Sequence, residues 1–494
     1  MRPRQSVLAA ALMLVLLGLG LSRTGCLVLH RPLLGYANNY DFIKISSTVG
    51  MWADEPSVDP LQPHPAGPYS HYKFHGPKEK GRRYLSSELL LVYPALFAAE
   101  VSNRIRGAPE GSIDLRVVGA TKMAAFFLVA VFLCFLFWRR GPWLGVCSAA
   151  VYAAVICDPA NTLYFNTLYF DDSALLFGWL AAGCALLLAA KESPGWLLTL
   201  FCAALPLAGL SKMQHPGLPF AIAAVYALAL RAAGRARGLL LWGPLGAAAV
   251  TLALGAINNQ AGSMASMQQA AATDTWFGTV LPALQRPADG LKRAGLPERC
   301  AAYIGKTWYD PGMQPSPCPE VFRAGRARVV WVLLREPAAL WKILVRSASL
   351  VRPRLEPYGQ IEGARYGFIG ALGDFRLFTL TGWTREMPVA AFDFALLVFL
   401  AIGAFSIGAL LGGRYAGAAV FCLMLEAVFA STLAASLLGD GYMDLARHMH
   451  LACSPLFLLP AVSAAAAVQL VGLIRRAARK TKSTSGVVSA SMKI

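Results

Sequence analysis

Ten apolar stretches, most of them close to the length of a membrane span, restrict what this sequence can fold into. A transmembrane helix needs about 20 predominantly apolar residues to cross the hydrocarbon core. The stretches predict spans near residues 6–28, 119–137, 142–158, 172–190, 195–210, 217–232, 238–257, 389–411, 415–437 and 449–473. Only 15% of the residues are charged, against about a quarter in soluble domains, so the chain is predicted to be an all-α polytopic membrane protein.

Basic residues in the short connections predict the orientation of these spans. They fill every second connection between the predicted helices, and all of these connections lie on the same side of the membrane as the two termini. The set is Arg2, Arg4, Arg139, Arg140, Lys191, Arg231, Arg235, Arg237, Arg414, Arg475, Arg476, Arg479, Lys480 and Lys482. By the positive-inside rule this side is cytoplasmic, and both termini are expected there.

The net charge of +18 follows from the same pattern. In a soluble chain such a charge suggests nucleic acid, but here much of it lies beside apolar stretches and faces anionic lipid. No interleaved basic and aromatic motif of a nucleic-acid binder is present. We therefore expect membrane lipids, and no nucleic acid, as partners.

Loop size predicts three units along the chain. Residues 1–257 form an N-terminal membrane module of about seven spans, which includes a first outer loop at 29–118. Residues 258–388 form a second, large outer loop, and 389–494 form a C-terminal module of about three spans with a basic tail. All 14 aspartates fall in outer connections or near outer helix ends, so the working face is predicted to point outward.

Both outer loops contain apolar segments too short to span. Residues 88–101 and a helix beginning at Pro337 have the amphipathic pattern of helices that lie in the membrane interface.

Four polar motifs on the predicted outer side contain the candidate site residues. They are NNYDFIKI with Asp41; TLYFNTLYFDD with Asp171 and Asp172, after Asp158; LSKMQHPG with Lys212 and His215; and GDGYMDLARHMH with Asp440, Asp444, Arg447 and His448. Ionisable groups at a membrane are costly, which favours a functional role. A carboxylate can deprotonate an acceptor hydroxyl, and Lys or Arg can stabilise a phosphate leaving group.

Structural roles compete with this interpretation. Asp41 suits a turn or helix cap, and Asp171 suits a helix start, where the dipole favours an acid. Asp444 stands three or four residues from Arg447 and His448, which is the spacing of an internal salt bridge. The tyrosines and phenylalanines of the repeated LYF sequence are predicted to form an aromatic belt at the membrane interface.

Cysteine and histidine give two further candidates. Cys300 and Cys318 share a polar stretch, and a disulfide between them is plausible in an oxidising compartment. His64, His71 and His75 cluster, but no cysteine or carboxylate set completes a metal site. No cofactor is predicted, and a divalent metal has no clear ligand set.

The motifs NNYDFIKI and LYFDD, with this topology, resemble the GT-C superfamily of membrane glycosyltransferases, which includes relatives of protein mannosyltransferases and aminoarabinose transferases. The resemblance implies a polyprenyl-phosphate or polyprenyl-diphosphate sugar as donor, transfer at the outer face, and inversion at the sugar carbon. It makes Asp41 the expected catalytic residue and puts Asp171 and Asp172 in the second wall of an outward cavity. The adjacent acidic pair that some members carry near this position is missing here, and the nearest pair is Asp54-Glu55.

Other functions remain open at this point. Glu426 and Asp393, in or near apolar spans, could serve the ion path of a transporter or flippase, although no inverted repeat is evident. An O-antigen ligase or polymerase, or a non-catalytic scaffold, is also consistent. The acceptor could be a glycan, a lipid or a protein. The Ala- and Arg-rich composition favours a bacterium, hence an inner-membrane protein of the cell envelope.

Overall fold

The computed structural model describes residues 3–36, 40–55, 68–75, 84–190, 194–259, 265–352, 360–363, 379–413, 417–443, 445–472 and 474. The N-terminal helices are α1 Pro3–Val28, α2 Tyr40–Val49, α3 Leu89–Arg106, α4 Leu115–Trp138, α5 Pro142–Val151, α6 Pro159–Thr162, α7 Asp171–Ala190, α8 Gly195–Gly209, α9 Leu218–Ala232 and α10 Gly238–Asn259. The later helices are α11 Ala265–Thr273, α12 Leu281–Ala283, α13 Pro287–Ala294, α14 Arg326–Arg335, α15 Pro337–Leu350, α16 Leu380–Glu386, α17 Val389–Leu411, α18 Gly417–Gly439, α19 Leu445–His448, α20 His450–Phe457 and α21 Leu459–Gly472.

The structure is an all-α polytopic membrane fold, and an apolar helix lies at each of the ten predicted spans. Six of these helices are long and apolar enough to cross a membrane: α1, α4, α7, α10, α17 and α18. Three shorter apolar helices, α5 with its π-helical extension to Ile156, α8 and α9, account for three more. The most buried of the six long helices is α7, which packs against α8, α9 and α4.

The tenth predicted span is bent. Helices α20 and α21 meet at an angle of 49° across the break at Leu458. Pro455 and Pro460 flank this break, and a proline ring removes a backbone donor and clashes with the preceding turn. His450, at the start of α20, is buried, with 6% of its surface exposed.

A small sheet interrupts the helical fold that the sequence predicts. Strands β1 Met51–Ala53, β2 His71–Phe74 and β3 Ser112–Asp114 form an antiparallel sheet in the order β1-β2-β3. Asp114 ends β3 and caps α4, because its carboxylate accepts a hydrogen bond of 2.9 Å from the Arg116 N–H. The sheet thereby ties the first loop to the start of a membrane helix.

The repeated LYF segment is buried in protein, so the prediction of an aromatic belt is wrong. Tyr164, Phe165, Tyr169 and Phe170 are each at most 2% exposed. Their rings pack on the first large loop and on α4: Phe170 stacks on Tyr84 at 5.4 Å, and Phe165 lies 4.8 Å from Phe126.

Buried irregular backbone needs hydrogen-bond partners, and a few side chains supply them here. Asn166 donates to the carbonyls of Val28 and Leu34, at 3.1 and 2.9 Å. A Cβ atom at Gly119 would lie 2.0 Å from the Asn166 side-chain oxygen, so only glycine fits at this contact. The segment is therefore held between the end of α1 and the N-terminal part of α4.

Amphipathic helices occur in both large loops, as predicted. Helix α3 runs five residues beyond the predicted end and carries an exposed apolar stripe that includes Tyr93, Phe97 and Val101. Helix α15 begins at Pro337 and exposes Trp341 and Val345. Exposed apolar stripes of this kind suit helices that lie in the membrane interface.

Candidate functional site

Asp41, the first candidate, lies in the first turn of α2 and is only 4% exposed. Three cations from three separate parts of the chain surround its carboxylate. The Lys44 Nζ lies 2.9 Å away, the Lys212 Nζ 3.3 Å and the nearest Arg447 nitrogen 3.5 Å. Lys44 is one helical turn from Asp41, a spacing at which side chains meet.

The charge of Asp41 is decided by two opposing effects. Burial raises the pKa of a carboxyl group, but Lys212, Lys44 and Arg447 outweigh it and hold the pKa of Asp41 well below its usual value. The carboxylate is therefore ionised at physiological pH.

Lys212 joins two of the predicted site acids. Its Nζ lies 3.3 Å from Asp41 and 3.5 Å from Asp171, which begins α7. Burial lowers the pKa of a lysine, but Asp171 and Asp41 more than compensate, and the pKa of Lys212 is raised. Asp171 also sits at the positive end of the α7 dipole, so its location has a structural cause as well as a place in the site.

Asp172 faces the opposite direction. Its carboxylate receives a hydrogen bond of 2.8 Å from Lys122 on α4, and the Lys122 Nζ also lies 2.7 Å from Glu88. All three side chains are fully buried. Adjacent aspartates at the start of a helix thus point to different partners.

His215 lies behind Lys212 and does not line the cavity described below. Its Nδ1 is 2.9 Å from the Ser211 hydroxyl. Burial, together with the Lys212 charge, lowers the pKa of His215 to about 3, so the imidazole is neutral at physiological pH.

The last motif supplies a second polar pair. The His448 Nε2 lies 3.1 Å from Asp440, and Gln214 donates a hydrogen bond to the same carboxylate. Burial raises the pKa of Asp440, but the hydrogen bond and charge of His448 lower it below its usual value. Asp444, also predicted for the site, lies outside the described residues.

Gly441 explains how this motif reaches the site. It has a φ of 62°, which favours glycine, and a Cβ atom there would lie 2.1 Å from the Thr279 hydroxyl. Thr279 in turn accepts a hydrogen bond of 3.0 Å from the Tyr442 N–H. The tight turn holds the connection between α18 and α20 against the second large loop.

Asp41, Lys212 and Asp440 open into one cavity of about 800 Å³. Asp171 and Asp172 do not line it, so the prediction that they form its second wall is wrong. One wall is charged and carries Asp41, Lys44, Lys212, Asp440, Arg447 and His448. A second wall comes from the second large loop and carries Gln268, Asp274, Trp308, Tyr309, Gln314 and Arg326. Apolar residues of α10 and α18 complete the lining, among them Leu252, Ala256, Ala435 and Leu438.

Cys300 and Cys318 form a disulfide, with Cα atoms 5.7 Å apart. Within the described residues, the group close enough to hold a metal ion consists of these two sulfurs and Glu320. The disulfide occupies both sulfurs, so this group does not form a metal site. Of the predicted histidine cluster, His71 lies in β2 and His64 lies outside the described residues.

Several residues of the site were missed from the sequence. The spacing of Lys44 from Asp41 could have indicated their contact. The position of Lys122, a charged residue inside an apolar span, could have indicated a buried ion pair. No sequence pattern indicates Trp308, Tyr309 and Gln314, because only the fold of the second loop brings them to the cavity.

Replacing Lys212 by methionine is expected to make any activity that depends on the ionised Asp41 carboxylate acid-sensitive. Without this cation, one of the three that lower it, the pKa of Asp41 rises. The ionised form then disappears at a higher pH, so activity falls at a higher pH than in the wild type. Rates measured between pH 4 and 8 test this; Lys212→Arg keeps the charge and should retain the wild-type profile. Identical profiles for Lys212→Met and the wild type would contradict the role of Lys212.

The buried His215 is expected to make the folded protein less stable at acidic pH. Its pKa is depressed in the folded state, so the unfolded chain binds the extra proton. Its contribution is complete above about pH 6.5 and falls as the pH decreases towards 3. His215→Asn, which keeps a hydrogen-bonding group near Ser211, should lose less melting temperature between pH 7 and 5 than the wild type. The exposed His71→Asn serves as control, and equal losses in all three proteins would refute the prediction.

Comparison with known proteins gives one family match and one distant structural match. The family model described as the YfdI N-terminal transmembrane domain matches residues 3–483. No curated protein matches significantly. Among solved structures, the archaeal oligosaccharyltransferase AglB from Archaeoglobus fulgidus, in complex with an inhibitory peptide and a dolichol-phosphate, matches with 16% identity and a TM-score of 0.38. The match covers 94% of this chain and 52% of AglB, so the chain spans about half the length of that protein. The similarity is too distant to transfer an activity.

Proposed function

This chain belongs to the family described as the YfdI N-terminal transmembrane domain, and we propose that the protein is a membrane glycosyltransferase of the GT-C kind. Its cavity is then part of a multi-pass membrane domain. It moves a sugar from a polyprenyl-phosphate or polyprenyl-diphosphate donor to an acceptor at the outer face of the membrane. The proposed setting is the bacterial inner membrane, with both termini cytoplasmic and a role in modifying an envelope glycan.

The observation that carries this proposal is the buried Asp41 carboxylate with its three cations in one cavity. Such a set offers a base and an anion site within a few ångströms of each other. A transporter does not require a base beside an anion site, whereas transfer from a phosphate leaving group requires both.

The reaction is a single displacement. The acceptor hydroxyl oxygen attacks the anomeric carbon, and its proton passes to Asp41. The bond between the anomeric carbon and the phosphate oxygen breaks, and its electron pair stays on the phosphate, whose charge Lys212 and Arg447 stabilise. Attack opposite the leaving group inverts the configuration of the sugar carbon.

Donor binding also changes the basicity of the Asp41 carboxylate. In the structure its cations lower its pKa, which makes it a weak base. When a phosphate enters, Lys212 and Arg447 share their charge with it, and the pKa of Asp41 rises towards the range of an efficient base. The carboxylate thereby becomes more basic when donor is present.

The apolar part of the lining suits the lipid tail of the donor. Leu252 and Ala256 lie on α10 and Leu438 lies on α18, two of the helices long enough to cross a membrane. A polyprenyl chain can remain in apolar surroundings while its phosphate reaches Lys212.

The test is a strain in which the gene is deleted, followed by mass profiling of its surface glycans. We expect a mass equal to one sugar to disappear and to return with the wild-type gene. Membranes containing the protein should also release sugar from a polyprenyl-phosphate donor in the presence of deletion-strain envelope. An unchanged glycan profile, or substrate flux without a covalent product, would refute the proposal in favour of a transporter.

A further inference from the structure

The disulfide between Cys300 and Cys318 closes a loop whose middle forms part of the cavity wall. Trp308, Tyr309 and Gln314 all lie between the two cysteines and all face the cavity. Both cysteines are fully buried in the apolar cluster of the second large loop. The disulfide thus anchors both ends of the segment that reaches the cavity.

Contacts inside the loop fix the same segment. The Trp308 N–H donates a hydrogen bond of 2.6 Å to Asp274, and the Gly305 N–H donates one of 2.8 Å to the Phe277 carbonyl. Asp310 accepts from the N–H and hydroxyl of Thr307, at 2.6 and 3.1 Å. Loops held in this way lose little further entropy when they bind a ligand.

The exposed surface of the loop carries two aromatic rings and an amide, beside the charged side chains of Lys306 and Asp310. Tyr309 is 59% exposed, Trp308 is half-buried, and Gln314 is exposed and donates to the Trp308 carbonyl at 2.8 Å. An aromatic ring has a negative face, which attracts the C–H groups on one side of a sugar ring. The amide of Gln314 can bond sugar hydroxyls through its oxygen. Aromatic rings with a few polar groups are what a small, neutral, polyhydroxylated ligand requires.

The position of the loop separates this ligand from the donor. Lys212 and Arg447, which suit a donor phosphate, lie on the charged wall, whereas the loop lies on the second wall together with Asp274 and Arg326. The apolar lining that suits a lipid tail lies on α10 and α18. The loop belongs to the second large segment outside the membrane helices and is open to solvent at Tyr309 and Gln314. A ligand on this wall therefore arrives from the aqueous side.

We propose that the loop between Cys300 and Cys318 is the acceptor subsite, and that the acceptor is a carbohydrate whose sugar ring packs on Trp308 and Tyr309. This inference deepens the proposed function and rests on it for the direction of transfer. Among glycan, lipid and protein acceptors, it selects the glycan. The role of the disulfide is to position the two rings.

Binding of soluble glycan to the purified full-length protein tests the subsite without requiring catalysis. The probe is the oligosaccharide mixture released by mild acid from the envelope of the deletion strain, with binding followed by saturation-transfer NMR. Trp308→Ala and Tyr309→Ala should each weaken binding about tenfold, as truncation of central aromatic contacts does. The double variant Cys300→Ser/Cys318→Ser should weaken it as well. Trp331→Ala, an exposed tryptophan of the same large segment that does not line the cavity, is the matched control.

Folding and function are separated by two further measurements. Trp308→Phe keeps an aromatic face and should restore most of the binding, which a general folding defect in Trp308→Ala would not explain. Release of sugar from the donor to water, which needs no glycan acceptor, reports separately whether each purified variant still acts on the donor. If the purified wild-type protein binds the oligosaccharides but deletion of the gene leaves the glycan unchanged, the proposed function is refuted and the subsite stands. No wild-type binding, or equal binding by the wild type, Trp308→Ala and Tyr309→Ala, would overturn the subsite.

Discussion

Replacing Asp41 by asparagine is expected to lower sugar transfer about 10²–10⁴-fold, the usual loss on removal of a general base. Asparagine keeps the size of the side chain but cannot accept the proton of the acceptor hydroxyl. The substitution also leaves Lys44, Lys212 and Arg447 without their shared counter-ion, so donor binding should persist or tighten. The rate of transfer and donor affinity, measured separately on the purified protein, test both statements.

Asp54→Asn is the matched control for Asp41→Asn. Asp54 belongs to the same outer loop, but it is exposed and does not line the cavity. This variant should transfer sugar at the wild-type rate and restore the glycan in the deletion strain. Full restoration by Asp41→Asn at normal abundance would make Asp41 a structural residue and remove the proposed base.

Replacing Lys122 by methionine is expected to destabilise the protein by about 3–5 kcal/mol, the cost of removing one partner from a buried ion pair. Glu88 and Asp172 would then face each other without a cation, because Lys122 lies within 2.8 Å of both. Lys122 also donates to the Thr167 carbonyl at 2.9 Å, so part of the buried LYF segment would lose its partner. Melting temperature in detergent and abundance in the membrane should both fall clearly.

The exposed Lys342→Met provides the comparison, because it removes the same charge from the surface of α15. Its melting temperature should stay within the small range typical of surface substitutions. Since Asp171 adjoins Asp172, residual Lys122→Met protein should also show reduced transfer. A melting temperature equal to the wild type would refute the structural role of the buried triad.

The positions of the spans could be predicted because long apolar stretches have few alternatives to crossing a membrane. Topology then placed Asp41, Asp171, Lys212 and Arg447 on one side of the membrane, which narrows the search for a site. Sequence could not say which of these side chains touch. Asp171 and Asp172 are neighbours with the same chemistry, and only the rotation of α7 sends one to Lys212 and the other to Lys122.

The LYF repeat shows a second limit. Tyrosine and phenylalanine near a helix end are typical of the membrane interface, but the same residues suit a buried core equally well. The distinction depends on whether the first outer loop covers the segment. Contacts such as Asn166 with the Val28 carbonyl join residues more than 100 positions apart, and no local pattern reveals them.

The charged wall has a consequence for the order in which the protein becomes active during synthesis. Asp41 and its partner Arg447 are separated by about 400 residues along the chain. At about 5–20 residues per second, ribosomes need roughly 20–80 s to pass from one to the other. Until the last two helices have been inserted, Asp41 has at most two of its three cations. A nascent or truncated chain that ends before Gly439 therefore carries most of the membrane domain but lacks Asp440, Arg447 and His448 of the assembled site.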